Sequence, residues 1–118
     1  MEETRKVRGE IVLPETPVPA GSADVAVYVE DISRADAPAT VIGQQIQKGV
    51  AARPGARIPF TIEIPAKLIQ DKSLYSIRAH IDVSGSGDVT VGDFVSTETY
   101  PVLSRGHGAS ATVKVRRV

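Results

Sequence analysis

The sequence contains no cysteine and no tryptophan. Without cysteine, the chain as given holds no disulfide framework, thiolate nucleophile, zinc–thiolate site or lipid-accepting residue. Aromatic residues make up only 4% of the chain, so Val, Ile, Leu and Ala have to fill the interior. We therefore expect an aliphatic core that no covalent cross-link supports.

Net charge and long apolar runs are also missing. Fourteen basic residues balance fourteen acidic ones, which removes the electrostatic footprint of a protein that follows phosphates, so nucleic acid is not an expected partner. No segment approaches the roughly 18 apolar residues of a membrane span. After Met1–Lys6, nothing supplies the apolar segment of a secretory leader. The chain as given predicts neither a membrane span nor an export signal.

What the chain does have is alternation of apolar and polar residues at period two, the pattern of half-buried strands. Prolines and glycines separate these segments. The predicted strands cover residues 7–13, 25–30, 40–47, 58–64, 75–83, 89 to about 97, and 111–116. We expect an all-β fold, a single antiparallel β-sandwich domain of about seven strands over residues 1–118, with residues 1–6 as a flexible tail. A small barrel is the competing geometry.

Local features refine these strands. Pro59 predicts an edge strand, because proline cannot donate to a ladder. Pro65–Ile69 can make one helical turn that serves as a crossover. The prolines of Pro14–Asp24 predict an extended loop along a sheet edge. In the third strand the glutamines are expected to face water, which is typical of a half-exposed or edge strand.

The stretch Asp31–Ala39 reads DISRADAPA and interrupts the strands. Ser33 and Asp36 have the spacing of a helix-capping pair, and Pro38 disfavours helix at the residue before it. One interpretation is a structural corner in which Asp and Ser side chains satisfy backbone donors. The other places Arg34 and Asp36 on a surface that faces a partner. The residues alone leave both interpretations open.

No motif predicts catalysis, a cofactor or a metal. His80 and His107 lack the close spacing of a metal-binding pair. Asp82, Asp88 and Asp93 bracket a glycine-rich turn without the register of a calcium loop, so we expect a solvated hairpin there. This turn joins two strands and does not open a helix, as a phosphate cradle would. No serine has a base and an orienting residue beside it. We expect a protein that is not an enzyme and needs no cofactor.

A family resemblance rests on five stretches in this order: Val7–Ile11, Asp31–Gln45, Ile58–Pro65, Tyr75–Gly85 and Tyr100–Gly106 (YPVLSRG). Together they resemble the YbaY-like lipoproteins, which are grouped with the YscW type III secretion chaperones, or pilotins. The resemblance implies a small β-sandwich that is anchored to a bacterial outer membrane by a lipidated N-terminal Cys. It implies a secretin-like protein partner in the secretion branch, and it supplies no catalytic residues.

The leading hypothesis is a non-enzymatic binding or chaperone-like module of the bacterial envelope, which pairs a client segment with the exposed sheet edge over Thr40–Gln47. The alternatives are a structural or self-associating sandwich domain, and a hydrolase or small-ligand protein that uses His80, Asp82 or His107. We expect a monomer or weak homo-oligomer. The address is periplasmic if a leader and a lipidated Cys have been trimmed, and cytoplasmic if the chain is complete as written. The candidate partner surface comprises Asp31, Arg34, Asp36, Arg105, Ile42 and Gln44.

Overall fold

The computed structural model describes residues 3–15, 22–34 and 36–118. Strands dominate this part of the chain, and one 3₁₀ turn at Ala66–Leu68 stands where a single helical turn was predicted. The all-β prediction is confirmed. The strands are β1 Thr4–Val12, β2 Ser22–Asp31, β3 Thr40–Ala51, β4 Arg57–Pro65, β5 Tyr75–Asp82, β6 Phe94–Ser96, β7 Pro101–Val102 and β8 Ser110–Arg117.

The strands form one continuous sheet in the order β3-β2-β5-β6-β8-β1-β4, and β7 pairs with β5 beside this path. Strand β8 makes the sheet continuous. Its first half pairs in parallel with β1, and its end pairs antiparallel with β6. The result is a nearly closed barrel where the sequence predicted a sandwich. Alternation alone shows which face of a strand is buried, and it does not show whether one strand joins two sheets.

The core follows the predicted alternation most clearly in β4. Ile58, Phe60, Ile62 and Ile64 are buried there, and the residues between them are exposed. Aliphatic side chains supply most of the core, as expected from the low aromatic content. The sheet order places β4 at one end, in agreement with the edge position that Pro59 predicted.

Three local predictions were wrong. The proposed flexible tail does not extend to residues 4–6, because β1 begins at Thr4 and pairs with β4 from there. The strand expected from residue 89 to about 97 shortens to β6, since residues 84–92 form a glycine-rich loop. Alternation over residues 75–83 predicts a solvated outward face for β5, but Ser76, His80 and Asp82 are buried there and only Arg78 is exposed. Residues 16–21 of the predicted proline-rich loop lie outside the described residues.

Candidate functional site

The stretch Asp31–Ala39 begins as a structural corner. Asp31 Oδ1 accepts hydrogen bonds from the Ser33 amide at 2.9 Å and the Ser33 hydroxyl at 2.5 Å. These bonds hold the pKa of the Asp31 carboxyl below its usual value. Ser33 Oγ also accepts the Leu74 amide at 2.9 Å. Asp31 and Ser33 therefore join the end of β2 to the loop before β5, and the predicted Ser33–Asp36 capping contact is not formed.

The rest of the corner is open to solvent. The side chains of Arg34 and Asp36 are exposed and make no hydrogen bond or ion pair with the residues that the structure describes. Arg34 borders a cleft of about 370 Å³, which we call the corner cleft. The cleft is lined by Asp31, Ser33, Arg34, Ala37, Pro38, Thr40, Gln70 and Ser73.

The YPVLSRG stretch also contacts the loop before β5. Ser104 Oγ donates to the Ser73 carbonyl at 2.5 Å, and Arg105 Nη2 donates to the Lys72 carbonyl at 2.9 Å. Two stretches that carried the family resemblance thus hold residues 72–74 between them. Arg105, a candidate partner residue, is exposed but already engaged in this support. The unengaged candidates at this end of the barrel are Arg34 and Asp36.

A second candidate surface lies where the sheet fails to close. Strands β3 and β4 are the two ends of the strand order, and side-chain amides bridge them. Gln45 Oε1 accepts the Thr61 amide at 3.1 Å, and Gln47 Nε2 donates to the Pro59 carbonyl at 2.9 Å. Gln47 Nε2 also lies 3.2 Å from Gln45 Oε1. We call this junction the seam: Gly43, Gln45 and Gln47 of β3 with Pro59 and Thr61 of β4.

The seam corrects the expectation that the glutamines of β3 face water. Gln45 pairs in register with the buried Val27, and Gln47 with the buried Val25, so both share the inner face of the sheet. Gln44 does face water, and Ile46 is 51% exposed. Ile42 packs against the core at a register shift of the β2–β3 pairing.

Gly43 brings the two end strands together at one point of the seam. A Cβ at this position would lie 2.8 Å from Ile64 Cγ1 and 2.9 Å from Ile62 Cγ2. Such distances are shorter than any normal carbon contact, so only glycine lets β3 approach β4 this closely. Beyond Gly43 the glutamine amides fill the space between the strands. Side chains of β3 therefore occupy backbone groups of the β4 edge at this junction.

The one potential metal-ligating group found among residues 3–15, 22–34 and 36–118 is His80, Asp82 and Asp93, whose ligand atoms lie within 4.8 Å of one another. This corrects the expected solvated hairpin, since all three side chains are buried. His80 Nε2 lies 2.8 Å from Asp93 Oδ2. His107, the other residue of the hydrolase hypothesis, borders a different cleft.

The two buried carboxylates are occupied by donors of the loop that they enclose. Asp82 accepts the amides of Gly85 at 2.9 Å and Gly87 at 2.8 Å. Asp93 accepts those of Val83 at 2.9 Å and Thr90 at 3.0 Å. Burial alone would raise both pKa values, but the His80 hydrogen bond to Asp93 and these backbone hydrogen bonds hold the pKa of each carboxyl below its usual value.

The arrangement therefore clamps the 83–92 loop, because the two carboxylates accept hydrogen bonds from backbone amides along it. Sequence reasoning missed this clamp and the seam. The one available signal was the pair of acids, Asp82 and Asp93, that flanks the glycine-rich loop.

A comparison with known protein families identifies the family of this chain. A family model described as "Type III secretion system lipoprotein chaperone (YscW)" matches residues 2–115. The chain belongs to the YscW family. The resemblance found in the sequence is thereby confirmed, and the family is one of secretion chaperones.

A solved structure gives a second comparison. The structure described as that of an alternative pilotin from the type II secretion system of Vibrio cholerae is similar to this chain with a TM-score of 0.79 and 26% sequence identity. The similarity covers 98% of each chain. A comparison with curated protein sequences finds no match. Within the described residues of this YscW-family chain, no helix is long and apolar enough to span a membrane.

Proposed function

We propose that this protein is a non-enzymatic, pilotin-like chaperone of the bacterial envelope, which binds a secretin subunit and assists its assembly in the outer membrane. The observation that carries the proposal is the match to a secretion-chaperone family over residues 2–115. The similarity to a type II secretion pilotin along 98% of both chains supports the same role. The periplasmic side of the envelope is the proposed address.

The proposed contact surface includes the open part of the corner. Arg34 and Asp36 are exposed and unbonded, so they can exchange water for groups of a client without dismantling the fold. Asp31, Ser33 and Arg105 hold the neighbouring loop in place and keep this surface in one shape. Ile42 and Gln44 extend the proposed surface onto β3.

Co-isolation from native cells tests the function. A tagged copy of the protein is purified from gently solubilised envelopes, and secretin subunits are quantified by mass spectrometry. We expect a secretin to be enriched over an untagged control. Arg34→Ala is expected to reduce the recovered secretin, whereas Arg53→Ala, which removes an exposed arginine on the β3–β4 loop, should leave it unchanged. Absence of any secretin would contradict the proposed function.

A further inference from the structure

The seam holds two side-chain amides at the place where a further strand would lie. Strands β3 and β4 end the order, and no ladder pairs them in the part of the chain that the structure describes. Gln45 and Gln47 satisfy a backbone N–H and a backbone C=O of β4 in place of a neighbouring strand. We propose that the seam is a receptor for one extended segment of the client, which inserts as an additional strand and replaces these glutamine bonds. The proposal rests on the proposed function, because it names how the client is held.

The chemistry of the two glutamines identifies the occupant. A primary amide carries the same C=O acceptor and N–H donor as a peptide group. The β4 groups that they bind, the Pro59 carbonyl and the Thr61 amide, are separated by a single residue. An adjacent strand of either direction offers a donor and an acceptor at this spacing. A client backbone would therefore satisfy both β4 groups in place of the glutamine amides.

The number of strands in the sheet also favours an inserted strand as the occupant of the seam. Seven strands lie on the path from β3 to β4, and an inserted segment would be the eighth. Barrels of about eight strands have interiors that side chains just fill. The occupant should have alternating apolar and polar residues, with its apolar side chains directed to the core. It should also lack proline at the positions that pair.

Insertion requires β3 to move away from β4 at Gly43. A covalent cross-link at this position would therefore prevent insertion. A Cβ at position 43 would lie 2.8 Å from Ile64 Cγ1, so Cβ atoms at positions 43 and 64 lie no more than about 4.3 Å apart, within the range of a disulfide. The double substitution Gly43→Cys with Ile64→Cys would therefore hold the seam shut when oxidised. The chain has no other cysteine, so one disulfide can form.

The test uses peptides selected against the protein itself. A phage library of random 12-residue peptides is panned on the wild-type chain, and enriched peptides are synthesised with a fluorescent label. Their affinity is then measured by fluorescence polarisation for the double-cysteine variant with and without reductant. We expect the oxidised form to bind at least about tenfold more weakly than the reduced form. Ile64→Cys alone, treated with the same oxidant, should show no such difference.

A second pair of variants separates seam opening from loss of folding. Gln45→Ala with Gln47→Ala removes the groups that compete with the peptide, so we expect tighter peptide binding. Ile46→Ala shortens an exposed side chain on the outer face of the same strand, between the two glutamines, and should leave the affinity unchanged. A peptide that binds the oxidised and reduced forms equally overturns the seam proposal, and so does a library that enriches no peptide.

Co-isolation from envelopes distinguishes failure of the seam proposal from failure of the proposed function. Recovery of a secretin by the oxidised and reduced forms alike would overturn the seam and leave the proposed function standing. Conversely, peptides that bind only the reduced form, together with envelopes that yield no secretin, would support the seam and contradict the secretin as client.

Discussion

At the scale of single residues, nearby residues of the Asp31–Ala39 stretch differ in whether they support the fold. Ser33 links the end of β2 to Leu74 and to Asp31, whereas the side chain of Asp36 bonds to no described residue. We expect Ser33→Ala to lower the free energy of unfolding by about 1 kcal/mol, because the Leu74 amide and the Asp31 carboxylate each lose a hydrogen-bond partner. Asp36→Ala should change it by less than about 0.5 kcal/mol. Urea denaturation of both variants measures the difference, and equal losses would contradict this division.

Asp93 illustrates a polar residue that supports the fold from inside. It is fully buried and receives donors from His80, Val83 and Thr90. In Asp93→Asn, an NH₂ group replaces one acceptor and faces these donors, so we expect a loss of about 2 kcal/mol in the free energy of unfolding. Asp88→Asn changes an exposed aspartate of the same loop and serves as the matched control. Equal stability of the two variants would rule out the loop clamp.

The lowered pKa values of Asp31, Asp82 and Asp93 set the direction of the pH dependence. Each carboxyl has a lower pKa in the folded chain than in the unfolded chain, so the unfolded chain binds more protons as the solution becomes acidic. The stabilisation is complete above about pH 5 and is lost as the pH falls through the folded pKa values. Thermal unfolding from pH 7 to pH 3 should show this decline, and Asp93→Asn should flatten it. A midpoint that is unchanged down to pH 3 would contradict the assignment.

At the scale of elements, β3 depends on a single close approach to β4. Gly43→Ala would place a methyl group less than 3 Å from side chains of Ile62 and Ile64. We expect a loss of about 1–3 kcal/mol in the free energy of unfolding, because overpacking forces the strands apart. Gly108→Ala meets open space and should be nearly neutral. Denaturant titration compares the two variants, and a neutral Gly43→Ala would show that the strands are not held at this point.

At the scale of the whole molecule, alternation was sufficient to predict most strands. In β4, each apolar residue faces a core that the period of two defines. The clamp could not be predicted, because His80 and Asp93 meet only after β5 and the loop fold back. The seam was missed for a similar reason. The inward direction of Gln45 follows from its register with Val27, which local pattern does not contain.

The central claim is that this protein acts as a pilotin-like chaperone in the bacterial envelope, and native cells test this claim most directly. The measurement is the amount of assembled secretin in outer-membrane fractions of wild-type cells, cells that lack this protein, and cells complemented with it. The account predicts that assembled secretin falls in the deletion strain while its total synthesis is unchanged, and that complementation restores it. Undiminished secretin in the outer membrane of the deletion strain would contradict the pilotin-like role.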